Sequence, residues 1–436
     1  MQSSSKTAKA DNGITNTPTR DDDDPVIESH TAEYIKETWD KICEEYVIDK
    51  SKIVSITTDG GANMVAALRL FIGNDRRVPC MAHCFNLFVD GVLRETHEFS
   101  ALCDHVKSIV TFFQQSVNAS DQLRAEQQAS GKKEGEVLTL IQAVSTRWNS
   151  CLDMLERFVK LSALVAKILA TKSQTNKKTP DMVATLQLNV LRDLIALLGP
   201  FKEATEEISG ANYVTSSLAT PVSNLLRQVT DQTNPSTTLG ETVKEALLKK
   251  IDKKLIPFHN NTFFSAATIL DPRFKRRHFT SPIAVSHAIT KISNDIRTEH
   301  RRRGQRSPDL RPIQAAPEPS ESSIWCRHEK LISLSTNRAE VSSSGSVPNE
   351  LKQYLDQPLT ERKSDPVEFW VNCRNFTPVL SEIALKYLIC QASSVLSERL
   401  ASAVNLVVPD NRSRLIREHI KEIVLLISIS DEYWFD

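Results

Sequence analysis

Several things are missing from this chain, and each absence narrows what it can be. No CxxC pair occurs among its eight cysteines, which stand irregularly at positions 43, 80, 84, 103, 151, 326, 373 and 390. That usage argues against a disulfide scaffold and fits a reduced, intracellular compartment. No run of about twenty apolar residues is present, so neither a membrane span nor a membrane partner is expected. The polar opening MQSSSKTAKAD does not read as a signal peptide. Net charge is absent too, because 54 Lys and Arg face 54 Asp and Glu. A neutral chain does not coat nucleic acid by bulk charge, which leaves local basic patches as the only electrostatic route to such a partner.

What is present is 436 residues, too many for one simple core, so two or three units are expected. The chemistry-bearing stretch runs over 53–86. A β-branched run, 53–58, ends in Asp59, two glycines follow, and an amphipathic segment covers 62–71. The pattern predicts a strand, a tight turn and a helix, with Asp59 at the carboxyl end of the strand, where α/β proteins place their chemistry. A second short strand is expected over 78–81, leading through Ala82 and His83 into a helix ending near Leu93.

Around this unit, residues 1–29 are polar and include Asp21, Asp22, Asp23 and Asp24, a composition read as a disordered tail. HTAEYIKETWDKICEEY over 30–46 has helical spacing, with Thr31 as its N-cap. Further helices are expected over 101–117, 151–170, 182–208 with an interruption at Gly199-Pro200, 217–229 and 242–255. Residues 300–323 are rich in Arg, Pro and Ser, and 335–350 is again polar, so a flexible connection is expected over 300–350. Arg301, Arg302, Arg303 and Arg306 read equally as a nuclear localisation signal or as a solvated charge run. The stretch 363–430 is apolar and helical, with Leu380, Ile383, Ala384, Tyr387 and Leu388 on one stripe. The units expected are therefore the tail, 30–125, 137–299, the 300–350 linker and 363–430.

TTDGGANM at 57–64, PCMAHCFNL at 79–87, STRWNS at 145–150, AATILDPRFK at 266–275 and PVLSEIALKYLICQASSVLSER at 378–399 followed by RSRL occur in order. Together they resemble the hAT superfamily of DNA transposases, whose cellular relatives include BED-type zinc-finger proteins. The resemblance implies an RNase H-like α/β core, interrupted by a large all-α insertion and closed by a C-terminal dimerisation region. It also implies carboxylates that hold two divalent cations, Mg or Mn, at a scissile phosphodiester. By motif position Asp59 is the second aspartate and Glu398 the glutamate. The alternatives are a turn-capping Asp and a surface helical Glu.

Cys80 and His83 match the family's CxxH. No second ligand pair stands at suitable spacing, so structural zinc is not expected. His83 reads either as a proton donor beside the phosphate or as a structural histidine. Arg147 and Trp148 match the family's RW pair, in which Arg holds phosphate and the indole stacks on an unpaired base. For Trp148 a core aromatic is the alternative. Cys80, His83, Arg147 and Trp148 are thus the DNA-contact candidates, and Trp370, Leu380, Ala384, Leu388, Leu415 and Ile420 the dimerisation candidates.

The chain departs from the family in two places. Only 58 residues precede Asp59, with no strand carrying a first aspartate and no BED finger. Near Glu398, Leu400 and Ala401 stand where a phenylalanine is usual, and Val404 where a glycine is usual. The expectation is a nuclear, transposase-derived protein, catalytically incomplete, forming a homodimer or higher oligomer and contacting DNA. An active metal-dependent transposase and a helical scaffold unconnected with DNA are the alternatives.

Overall fold

Thr31 starts the first helix as its position suggests. Its hydroxyl accepts a hydrogen bond from the Tyr34 amide at 3.2 Å and caps α1 (Ala32–Glu45). The structure, a computed structural model, describes residues 31–144, 148–174, 178–304, 347–408 and 417–429. The 1–29 tail, Arg147, Arg306, Leu415 and most of the expected linker lie outside these residues.

After α1 the chain forms β1 (Ile56–Thr58), α2 (Ala62–Phe71) and β2 (Arg77–Pro79). The strands pair in parallel, Ile56 opposite Arg77 and Thr58 opposite Pro79. Gly73, at φ 89°, turns the chain from α2 toward β2, a conformation that costs glycine little. α1 packs on α2, with Trp39 and Phe71 ring centroids 5.4 Å apart. The second strand ends earlier than its sequence suggests. Cys80 is already the N-cap of α3 (Met81–Glu95), its sulfur accepting from the His83 amide.

Apart from this strand pair, the described residues are mostly helical. α4 (His97–Gln115), α5 (Val117–Ala129), α6 (Trp148–Ser173), α7 (Thr185–Ile208), α8 (Ala219–Gln232) and α9 (Thr238–Lys254) share with α3 one apolar core that includes Phe85, Ile109, Phe158 and Leu247. Phe88 of α3 stacks on Phe201 of α7 at 5.3 Å. The break expected at Gly199-Pro200 does not occur, because α7 runs straight through Pro200. Pro removes one helical N–H, while Leu197, Leu198 and Phe201 around it are at most 1 % exposed, and that burial outweighs the lost bond. Cys103 and Cys151 meet between α4 and α6, sulfur to sulfur at 3.7 Å.

A second core gathers α10 (Thr262–Leu270), α11 (Pro282–Arg302), α12 (Asn349–Asp356), α13 (Pro366–Cys373) and α14 (Pro378–Leu388). Its centre is the LDPRFK motif. Asp271, fully buried, accepts from Ser217 at 2.6 Å and from the Arg273 guanidinium at 2.9 and 2.7 Å. Lys275 takes a left-handed φ of 45°, unusual for a residue with a Cβ. Its ammonium is fixed by the Tyr354 and Gln357 carbonyls, both at 2.6 Å, and burial pushes its pKa down. The Trp370 indole donates to the Leu270 carbonyl at 2.7 Å.

Trp370, Leu380, Ala384 and Leu388, four of the six expected dimer contacts, are therefore enclosed by this chain's own helices, each at most 1 % exposed. An apolar stripe says that a face is covered, and here the cover is intrachain. The last elements are α15 (Val395–Val407) and α16 (Arg417–Ser428), which pack on each other.

One polar tie sets the turn into α9. The Asp193 carboxylate accepts from the amides of Ser236 at 3.0 Å and Thr237 at 2.9 Å, and from the Thr237 hydroxyl at 2.6 Å. Burial alone would raise its pKa, but these bonds prevail and hold it below the usual carboxylate value. Its stabilising contribution is thus present above the unfolded-state pKa of about 4 and lost as pH falls through the lowered folded value. Asp193→Asn is expected to cost about 1–3 kcal/mol and to flatten the acid limb of urea stability measured from neutral to acid pH. Gly240→Ala should destabilise through the same tie, since a Cβ there would lie 2.6 Å from Pro235 Cβ and 2.8 Å from Asp193 Oδ2.

Candidate active-site cleft

The site begins with four residues far along the chain, 391–394, which leave α14 and run against β1 and the start of α3. Thr57 donates its hydroxyl to the Gln391 carbonyl at 2.7 Å, and the Met81 amide donates to the Ala392 carbonyl at 2.9 Å. The Cys80 sulfur accepts from the Ser394 amide at 3.3 Å and from the His83 amide at 3.4 Å. Thr215 closes the other side, donating to Gln391 Oε1 at 2.6 Å and accepting from the Ala392 amide at 2.9 Å. Every polar group named has a partner, as buried backbone requires. The segment then enters α15 and sets Glu398 in its first turn.

A cleft of ≈ 580 Å³ opens beside this seam, walled by the starts of α3 and α6, the end of α7 and one face of α15. His83, Trp148 and Glu398, which lie more than 300 positions apart at the extremes, all line it. Asn149, Glu206 and Arg399 line it as well, and sequence reasoning gave none of them a role. Asn149 Oδ1 is buried with no hydrogen-bond partner among the described residues, an acceptor that normally finds one. Arg399 sits beside Glu398 in the quoted SER motif, but Glu206 belongs to no motif. Only the packing of α7 against α3 and α6 brings it here.

The other expected residues sit differently. Cys80 is 1 % exposed, so its place in the CxxH is that of a helix cap and tie rather than a DNA contact. Trp148 is 6 % exposed and packs in the first core with only an edge on the cleft. Of the two roles considered for it, the core aromatic is the one its burial matches. Asp59 is exposed and stands outside the cleft lining. Its Oδ1 accepts from the Gly61 amide at 3.1 Å, and its carbonyl accepts from the Arg77 guanidinium at 3.2 Å. Among the described residues, no group of three or more His, Cys, Asp or Glu is placed to hold a metal ion. The cleft thus offers an imidazole, two carboxylates and a guanidinium around a volume of ≈ 580 Å³.

The regions that build this cleft have known counterparts. Residues 350–428 match the hAT family C-terminal dimerisation region, and 78–193 match the ZBED1 RNase-like helical domain. His83 and Trp148 come from the second region and Glu398 from the first, so the cleft joins two stretches that are each similar to part of a hAT-type protein. The chain is homologous to zinc finger BED domain-containing proteins. Protein 4 of that series from Homo sapiens is 24 % identical over 387 residues, covering 88 % of this chain and 31 % of the relative. A putative transcriptional regulator of Talaromyces stipitatus is 22 % identical, covering 94 % and 51 %. Protein 6 from Homo sapiens is 21 % identical, covering 85 % and 39 %. This chain therefore spans between about a third and a half of the length of these relatives.

Since Trp148 is enclosed, Trp148→Ala should behave as a core truncation, costing about 3–5 kcal/mol in urea unfolding. A variant as stable as the parent would mean that the indole is not held in the core.

Proposed function

We propose that this chain is a transposase-derived nuclear protein that acts by self-association and DNA contact, and that it lacks a complete catalytic set of its own. In this reading β1, β2, α2 and α3 are a remnant of an RNase H-like core. The observation that carries it is the apolar surface on α15 and α16, inside the part that matches the hAT C-terminal dimerisation region. There Leu406 is 81 % exposed, Leu425 61 % and Ile427 60 %, and half-buried Ile420 belongs to the same helix as the last two. Large apolar side chains on two packed helices suit coverage by a second copy. Incompleteness is supported by Asp59, which stands away from the cleft that holds Glu398. The nuclear, DNA-linked role draws on the relatives, one of which is described as a putative transcriptional regulator.

A second reading, metal-dependent strand transfer, draws on the convergence of His83 and Glu398 on one cleft. Mg or Mn would then be held by Glu398 and Asp59 together with carboxylates from elsewhere. Manganese-dependent cleavage of terminal-repeat DNA, abolished by both Glu398→Gln and Asp59→Asn, would support it, and no cleavage by the full-length protein would remove it.

Light scattering tests the first reading. The chain is expected to run at twice its 48.9 kDa at micromolar concentration, and the double variant Leu406→Asp, Leu425→Asp as a folded monomer with unchanged helicity. A parent chain that is monomeric, or a double variant that still dimerises, would overturn the interface.

A further inference from the structure

A second and larger cavity, ≈ 770 Å³, lies between β2, the start of α10, α11 and α14. Its wall carries four cations, Arg76, Arg77, Lys291 and Lys386, against two carboxylates, Asp295 and Glu299. Both carboxylates are already engaged. Asp295 accepts from Lys291 at 2.5 Å and from the Tyr387 hydroxyl at 2.8 Å. Glu299 accepts from Arg302 at 2.9 and 2.7 Å and from Arg303 at 2.9 Å, bonds that, led by Arg302, hold its pKa at about 2.

Lys291 is paired with Asp295, but the other three cations are less well matched. Among the described residues Arg76 and Arg77 donate to backbone carbonyls alone, those of Lys50 and Ile53 for Arg76 and of Asp59 for Arg77. Arg77 Nε is buried with no partner among the described residues, and Lys386 enters none of the ion pairs seen there. In a chain with no net charge, this local excess of positive charge beside an unmatched guanidinium N–H favours an anion. Guanidinium geometry favours a planar or tetrahedral oxyanion, and two such groups with two ammonium ions suit phosphate.

We infer that this cavity is a phosphate-binding site, separate from the cleft at His83, held by Arg77 and Lys386 with Arg76 and Lys291 alongside. The phosphate comes from a nucleic-acid backbone passing over α11 and α14 or from a small phosphate ester. The DNA source rests on the DNA-contact reading above, whereas the site itself does not.

Both sources are tested on the full chain, with thermal stabilisation by millimolar pyrophosphate as one arm and anisotropy of a labelled DNA duplex over a salt series as the other. Arg77→Gln and Lys386→Glu should each remove most of the pyrophosphate shift. If the source is DNA, each should also weaken the duplex several-fold and lower the salt slope by about one. Lys160→Glu, the same charge change on exposed α6 outside the lining, should do neither. Duplex binding that ignores Arg77 and Lys386, with no pyrophosphate shift, overturns the site and leaves DNA contact standing. A pyrophosphate shift sensitive to both residues, with no duplex binding, keeps the site, assigns it to small phosphates and removes DNA contact. If neither signal is seen, both the site and the DNA contact are removed. Lys386 is exposed, so its replacement tests the site even if Arg77→Gln misfolds.

Discussion

The pairing of 391–394 with the β1–α3 corner is the constraint on which the rest depends. Two strands of three residues each are too small a sheet to stand alone. The late segment supplies the missing hydrogen-bond partners to Thr57, Cys80 and Met81. Because those bonds fix the depth and direction in which the chain leaves for α15, they also decide where Glu398 points. The cleft is thus a product of backbone accounting before it is a product of side-chain chemistry.

The two apolar cores are linked by the same logic. The 216–218 turn lies under both, its hydroxyls reaching the Tyr387 carbonyl from Ser216 and the buried Asp271 from Ser217. Asp271 in turn orders Arg273, and the adjoining carbonyls of α10 receive Tyr354 and Trp370. Pairing a buried carboxylate with a guanidinium and a hydroxyl gives little net energy against an apolar replacement. Its effect is directional, since removing one partner strands the others, and α10, α12 and α13 have only one arrangement that satisfies all of them.

Much of this was legible in the residues. The motifs appear in order, most helices follow their apolar period, and the cap at Thr31 falls where its chemistry suggests, whereas Gly60 and Gly61 take no left-handed φ and Gly61 serves as the N-cap position of α2. What was not legible has a common physical cause. Periodicity tells which face of α14 is covered but not by what, so a stripe enclosed by α10, α11 and α13 looked like a surface for a second copy. A CxxH shows ligand-like residues, while the bond from Ser394 that makes Cys80 a tie crosses 314 positions. Glu206 carries no motif and reaches the cleft only through helix packing, while Asn149 stands in STRWNS beside Trp148 but was given no role of its own. At Pro200 the burial of Leu197, Leu198 and Phe201 beside it prevailed over local propensity, as tertiary context can.

That same 314-residue reach has a consequence during synthesis. At roughly 5–20 residues per second, roughly 15–60 s separate the appearance of Cys80 from that of Ser394. Throughout that interval the amide of Met81 and the hydroxyl of Thr57 wait without the partners they have in the finished fold. The corner is therefore assembled only once residue 394 has been made, while the first helical core, built almost entirely from earlier residues, can form before it. A nascent or prematurely terminated product ending before residue 391 would leave the Thr57 hydroxyl, the Cys80 sulfur and the Met81 amide without these partners, a locally unfinished corner open to proteases.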